Sequence, residues 1–391
     1  MGCGTEMIYF DNAATSFPKP KAVIEAMEEY FFNMGGSTGR SGHKMAIKAS
    51  ELVFNTREHL ARLFNIKDSA RIVFTKNVTE SLNFAINGFL EKGDQVITTS
   101  LEHNSVMRPL RYLGQTGKIK IFIVLANQEG IVEPSAFENI LKKEKIKLVV
   151  VNHASNVTGA ITPVRAIAKI AYKYGSRILV DAAQTAGAFP INVIADNIDM
   201  LAFTGHKSLL GPQGTGGLYI SEGIKLKPLI RGGTGSSSEK EIQPDFMPDQ
   251  FESGTLNVIG LAGLGAGVKY ILDQGVTKIR TEEMELTKIF IKEAEKIEGV
   301  KLYGPRDVNI KVSVVSFNIS GYTPSEVAYI LDNNFNLACR PGLHCAPSAH
   351  KTIGTFPQGT IRFAFGYFNT IEEIKKGLKA LSQISNKEWI N

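Results

Sequence analysis

Seven short apolar runs, at 71–74, 95–98, 119–124, 148–151, 177–180, 200–203 and 217–220, punctuate the first part of the chain, and helical segments lie between them. Runs of this length read as buried strands and are too short to span a bilayer. Alternation of strand and helix predicts a mostly parallel sheet wrapped by helices. Before the first run the pattern is helical from 21 to 64, with a helix over 45–63, interrupted by the glycine-rich stretch 34–42. After the last run, the Gly-, Ser- and Pro-rich stretch 231–248 reads as a long loop bordering the site. Helices follow at 256–272 and 277–297, then strands at 312–317 and 361–365 and a last helix at 371–384. These predict an α/β protein with a large domain over 16–265, and a smaller α+β domain made of 1–15 and 266–391.

The chain has 391 residues, 43% of them hydrophobic, enough to fill two cores. Lys and Arg number 44 against 38 Asp and Glu, a net +6 spread along the sequence, so a nucleic-acid surface is not expected. Three cysteines, Cys3, Cys339 and Cys345, are too few for a disulfide framework and fit a reducing compartment, the cytoplasm. The first six residues lack a basic and an apolar targeting region, and Glu6 stands where a myristoylation motif needs Ser or Thr. No membrane attachment is expected, and no metal ligands are assigned.

Parallel α/β sheets bind ligands beyond the carboxyl ends of their strands. There the sequence places Asn77, Val78 and Thr79, then His103, Asn156, Asp181 and Gln184, and finally Thr204, His206 and Lys207. Taken singly, each has an ordinary explanation. Asn77 and Thr79 suit a helix cap, Asn156 a turn, and Asp181 either a cap or a carboxylate paired with a protonated ring nitrogen. The succession at consecutive strand ends is what packing alone does not call for. A helix start at 77–79 offers amides to a phosphate, His103 offers a flat face to a cofactor ring, and Lys207 beside Gly205-His206 can hold an aldehyde as an imine.

Far along the chain, Cys345 sits in Cys339-Arg340-Pro341-Gly342-Leu343-His344-Cys345-Ala346-Pro347. A thiol in a Gly- and Pro-rich loop beside an arginine suits a mobile nucleophile, whereas Cys339 reads as a core residue at a strand end. An imine-forming lysine together with such a cysteine narrows function further than either alone.

These residues, with Tyr9-Phe10-Asp11-Asn12-Ala13-Ala14-Thr15 at the start and Glu252-Ser253-Gly254-Thr255 later, resemble the class V aminotransferase superfamily. Within it they are similar to the cysteine desulfurase and selenocysteine lyase family, over nearly the whole chain. The resemblance implies pyridoxal-phosphate fold type I with a seven-stranded sheet. It makes Lys207 the Schiff-base lysine, His103 the ring-stacking residue and Asp181 the partner of the pyridine nitrogen. Gln184 and Asn156 face the phenolic oxygen or substrate, and Asn77, Val78, Thr79, Thr204 and His206 hold the phosphate. Thr255 is lent across a homodimer interface, Arg340 and Arg362 hold the substrate carboxylate, and Cys345 becomes the persulfide-forming nucleophile. The implied substrate is L-cysteine or L-selenocysteine, with cysteine sulfinate as a further candidate, and the implied partner a sulfur-acceptor protein. Another class V transaminase or epimerase reaction, or an idle scaffold that keeps the fold to bind a sulfur acceptor, are the competing readings.

Overall fold

The computed structural model describes residues 7–38, 42–236 and 239–390. Cys3 and the rest of the N-terminal hexapeptide lie outside the described residues, as do parts of the two predicted loops, 39–41 and 237–238. Strand β1 (Ile8–Tyr9) leads into helices α1 (Lys21–Glu29) and α2 (Lys44–Phe64), α1 being extended by a π-helical turn, Tyr30–Met34. The alternating section runs β2 (Ile72–Thr75), α3 (Val78–Phe89), β3 (Gln95–Thr99), α4 (Asn104–Gln115), β4 (Lys120–Val124), α5 (Pro134–Leu141), β5 (Leu148–Asn152), α6 (Val164–Lys173), β6 (Arg177–Asp181), β7 (Met200–Thr204) and β8 (Gly216–Ile220). Then come α7 (Val258–Gln274), α8 (Val276–Ala294), β9 (Val300–Tyr303), β10 (Val314–Ile319), α9 (Pro324–Phe335), β11 (Leu337–Ala338), β12 (Arg340–Gly342), α10 (Pro347–Thr352), β13 (Thr360–Ala364) and α11 (Ile371–Ser385).

The large sheet has seven strands in the order β2-β8-β7-β6-β5-β3-β4, with β8 alone antiparallel to its neighbours. The fold class is therefore α/β with a mostly parallel sheet. Its central strands Leu148–Asn152 and Met200–Thr204 are buried along their full length, as continuous apolar runs covered on both faces must be. Polar residues define the helix starts facing the site. Asn77 caps α3 by accepting from the Glu80 amide at 3.0 Å, and His103 caps α4 through Nδ1, which accepts from the Ser105 amide at 3.1 Å.

A second sheet, β12-β13-β10-β9, is antiparallel and packs on α8 and α9, against which α11 lies. Its core is aromatic: Phe10, Phe290, Phe317, Phe363 and Phe365 meet with centroids 4.9 to 6.4 Å apart. Edge-to-face pairs such as Phe317 with Phe363 add about 0.5–1.5 kcal/mol each beyond area burial. Strand β1 pairs parallel with β11, so the start of the chain is stitched to its far end. The division at 265/266 in the sequence reading falls inside α7, one continuous helix that packs against α1 and α2. The apolar cores separate later, within α8, where Ile279 belongs to the large core and Leu286 to the small one. Among the described residues no helix is long and apolar enough to cross a membrane.

Candidate active site

Strands β2, β3, β5, β6 and β7 all point the same way, so the residues after them gather on one edge. Val78, His103, Asn156, Asp181, Gln184 and Lys207 line a single cavity, together with Asn152, Ala154 and Ala183. Thr79, one residue past Val78, bonds the Ser105 hydroxyl at 2.8 Å and thereby joins the starts of α3 and α4.

Asp181 ends β6 and is 5% exposed. Burial raises its pKa, while the Ala183 amide, which donates to Oδ1 at 2.9 Å, and the Lys207 charge oppose the rise. His103 is held neutral, its pKa pushed down to about 4 by burial and then by the charges of Lys207, Arg340, Arg362 and Arg108. Its Nδ1 accepts the Ser105 amide, which leaves the proton on Nε2. Lys207 is lowered to about 8, first by burial, then by Arg362 and Arg340, against the opposing pull of Asp181 and Asp11. About a tenth of its amine is therefore unprotonated at pH 7, far more than for an ordinary lysine.

The turn that carries Lys207 is tightly built. The Lys207 carbonyl accepts from the Leu210 amide at 2.8 Å, and Leu210 takes φ 61°, a left-handed conformation costly for a branched side chain. Gly187, itself at φ 94°, lets its backbone run against Ser208 in this turn, where any Cβ would collide with the Ser208 carbonyl. Lys19 donates to the His206 carbonyl and to Ser16 Oγ, each at 2.7 Å, fastening the N-terminal segment to the same turn. Thr204 is buried at the end of β7, and His206 Nδ1 is buried without a partner among the described residues.

On the other side stands the small antiparallel sheet. Arg340 and Arg362 are Cα partners on β12 and β13. Arg362 is 1% exposed; its Nη2 pairs with Asp11 at 2.8 Å and its Nη1 donates to the Asn156 carbonyl at 3.2 Å, while Nε has no partner among the described residues. A buried guanidinium with an unsatisfied nitrogen suits an incoming carboxylate. Cys345 is exposed, and Arg340 Nη2 approaches its Sγ at 3.5 Å. Cys339, between β11 and β12, is only partly exposed and its thiol is pushed well above the usual range, first by burial, then by Asp11 and Asp332. Thr255 is not brought to this cavity by its own chain. It is exposed and lines a separate groove with Thr75, Lys76 and Glu80.

Residues outside the sequence candidates also shape the site. Asp11 is the ion-pair partner of Arg362 from 351 positions away, and no local signal announces such a contact. Glu102, adjacent to His103, is fully buried: Thr99 Oγ1 donates to Oε1 at 2.6 Å and the Asn152 amide at 3.1 Å, and burial drives its pKa to about 8. Its place between a buried strand and a polar strand end was the only clue in the sequence.

A pyridoxal phosphate fits this donor set. The cavity offers a neutral imidazole, a buried carboxylate and an amine lowered toward neutrality, and beside it lie the start of α3, with Val78 on the cavity wall, and the His206 nitrogen, which has no partner among the described residues. Close approach of backbone there is built in, since a Cβ on Gly216 would lie 2.9 Å from Asn77 Cα.

The class-V aminotransferase family model matches residues 8–376. A protein of Methanothermobacter thermautotrophicus named "probable cysteine desulfurase" is 36% identical over 386 residues, covering 97% of this chain and 94% of that protein. Another of that name, from Pyrococcus abyssi, is 36% identical over 389 residues, with 97% and 94% coverage. The apo structure of the cysteine desulfurase from Thermococcus onnurineus NA1 superposes with a TM-score of 0.92 at 36% identity, covering 97% of this chain and 95% of that one. The cysteine desulfurase CsdA from Escherichia coli gives 0.87 at 26% identity, again over 97% and 95%. With a matching family model over nearly its full length, and relatives alike in sequence and in fold, this chain belongs to the class-V aminotransferase family.

Proposed function

We propose that this protein is a pyridoxal-phosphate-dependent cysteine desulfurase, which takes sulfur from L-cysteine, releases L-alanine and keeps the sulfur as a persulfide on Cys345. The observation that carries this reading is the thiol itself: Cys345 stands exposed, with Arg340 at its sulfur, across from the cavity that contains Lys207. A transaminase or epimerase reaction has no use for such a group. The curated relatives named above point to the same activity.

Pyridoxal phosphate, when bound, supplies an electron sink for charge developing at the substrate α-carbon. Lys207 would anchor it, His103 would lie against its ring, Asp181 would meet its ring nitrogen and Gln184 its phenolic oxygen. Asn77, Val78, Thr79, Thr204 and His206 would receive its phosphate. Arg362, with Arg340, holds the substrate carboxylate, and the free Nε of Arg362 is the nitrogen that remains to be satisfied. The Lys207 amine takes the α-proton and later returns it, a task for which a pKa near the working pH is favourable. The Cys345 thiolate attacks the substrate sulfur; the S–S bond forms, the C–S bond breaks, and its electron pair stays with the carbon that becomes alanine. A sulfur-acceptor protein or small thiol then removes the outer sulfur.

A homodimer completes the site in this reading, with Thr255 delivered to the partner copy. Its support is the apolar side of α1, its extension and α2, where Ile24, Phe31, Phe32, Met45, Ile47 and Phe54 are exposed. The test is to incubate cofactor-loaded protein with L-cysteine and a reductant, beside samples given L-selenocysteine and L-cysteine sulfinate, and to measure alanine with the released sulfur or selenium product. Alanine and sulfide in equal amounts from L-cysteine are expected. No alanine from L-cysteine sinks the reading, and turnover of selenocysteine alone replaces it with a lyase.

A further inference from the structure

The nucleophile turn is strained, and its anchors can be counted. His344 has φ 49° and Cys345 φ 58°, both left-handed, a conformation that costs an L residue about 1–2 kcal/mol. Such a turn persists only where its surroundings over-determine it. Three of its bonds are made by its backbone. The Ala346 amide donates to the Leu343 carbonyl at 2.9 Å, closing the turn; Asn156 Nδ2 donates to the His344 carbonyl at 2.7 Å; and the Asn104 amide donates to the Cys345 carbonyl at 2.8 Å.

The fourth anchor is the buried polar side chain of the turn. His344 is 2% exposed, and its Nε2 meets Thr360 Oγ1 at 3.1 Å. Its ring lies 5.4 Å from that of His350, also fully buried, and His350 Nδ1 is fixed in turn by Thr355 Oγ1 at 2.7 Å. Thr360 and Arg362 are two apart on β13, so they share one face of that strand. A single rigid strand therefore carries both the carboxylate-reading guanidinium and the socket for the imidazole. Asn156 joins the same two points from the large sheet, since its carbonyl accepts from Arg362 and its amide holds the His344 carbonyl.

We propose that His344 is a positioning residue, whose buried imidazole, seated on Thr360, holds the Cys345 turn at a fixed distance from the carboxylate site of Arg362. This rests on the desulfurase reading for its catalytic consequence, though not for its structural one. The thiol itself is exposed, and among the described residues its one hydrogen-bond contact is Arg340, a flexible side chain that does not by itself fix the reach of the sulfur. His344 does this from beneath, through the backbone of the following residue. A displacement of about 1 Å in a reacting group is enough to cost about 10²-fold in rate.

Two variants separate the ring from the backbone. His344→Asn keeps a side chain that tolerates the left-handed region but is too short to reach the socket. Thr360→Val keeps the shape of the socket and removes its hydroxyl. Each would be loaded with cofactor and measured in three ways: cysteine desulfuration, exchange of the L-alanine α-proton into heavy water, and the rate at which iodoacetamide alkylates Cys345. The proposal expects kcat for desulfuration to fall about 10–100-fold in His344→Asn and several-fold in Thr360→Val. KM and alanine exchange, which use Arg362 and Lys207 but not the thiol, should stay within about 2-fold, and alkylation should change rate in the same order as desulfuration. Equal loss of exchange and desulfuration would show a merely structural residue and overturn the proposal. Unchanged desulfuration in both variants would overturn it as well. Should the parent protein fail to desulfurate cysteine, the functional reading fails separately, and the alkylation rates alone decide the positioning claim: a change upholds it, equality overturns it.

Discussion

Asp181 is 5% exposed at the end of a strand paired on both sides, whereas Cys345 is exposed at the tip of a four-residue turn on the edge of another sheet. The first environment suppresses water and fixes charge. Its groups have pKa values moved mainly by burial, as for Asp181, His103 and Lys207. In the second environment the reactive atom meets solvent, while the residue before it is buried. The contrast matches two tasks. Proton transfer at carbon needs a preorganised, poorly hydrated setting, and a sulfur that must be handed on needs a thiol that another molecule can reach. Strain marks both places, at Leu210 beside Lys207 and at His344 and Cys345 in the turn.

Removing the amine should break the first region most completely. Lys207→Ala should lower cysteine turnover by about 10⁴-fold, and borohydride should no longer fix cofactor to the protein, as judged by intact mass. Cys345 should still be alkylated at the parent rate. Asp181→Asn should reduce kcat by about 10²–10³-fold, by analogy with loss of one preorganised electrostatic partner, with a shifted absorption band of the bound cofactor.

A structural variant sharpens the same contrast from outside the site. Arg57 and Glu252 form a buried fork, 2.9 and 3.0 Å, and Glu252 also accepts the Phe74 amide at 2.7 Å. Arg57→Met leaves that carboxylate buried and unpaired, so unfolding free energy should drop by about 3–5 kcal/mol in denaturant titration. The alkylation rate of Cys345 should not follow, since the turn hangs from other elements.

The smallest effect is on pH. His103, His153, His206 and His350 are lowered to about 4 and His344 further, all by burial first, so the folded protein binds fewer protons than the unfolded chain below pH 6.5. Their contribution is fully present above that value and is lost as pH falls toward 4. Glu102 and Glu283, raised to about 8 by burial, act in the opposite sense, as does Asp181. The histidines outnumber them, so melting temperature should fall between pH 6.5 and 4.5. A flat or rising melting temperature on acidification would contradict the buried, neutral state of these rings.

Much of the large sheet could be read from the chain because its strands are uninterrupted apolar runs bounded by polar strand ends, as at Leu148–Asn152 followed by His153. The end residues were legible for the same reason: a parallel sheet sends consecutive strand ends to one edge. The second sheet was less legible. Arg340–Gly342 has no alternation and contains Pro341, which reads as loop, yet β12 is an edge strand, where a missing amide is tolerated. Helix α9 carries a capping box at Thr323 and Glu326, a local signal for where it starts. Long-range contacts such as Asp11 with Arg362, and the burial of His344 beneath an exposed Cys345, depend on tertiary geometry and leave no periodic trace.

The most direct test of the account is a single turnover with L-cysteine, followed by trapping and peptide mass analysis of both described thiols. The account predicts one added sulfur on Cys345 with one equivalent of alanine, nothing on the half-buried Cys339, and no alanine from a Cys345→Ala variant that keeps its cofactor band. Sulfur found on Cys339, or alanine formed by the variant at the parent rate, would contradict it.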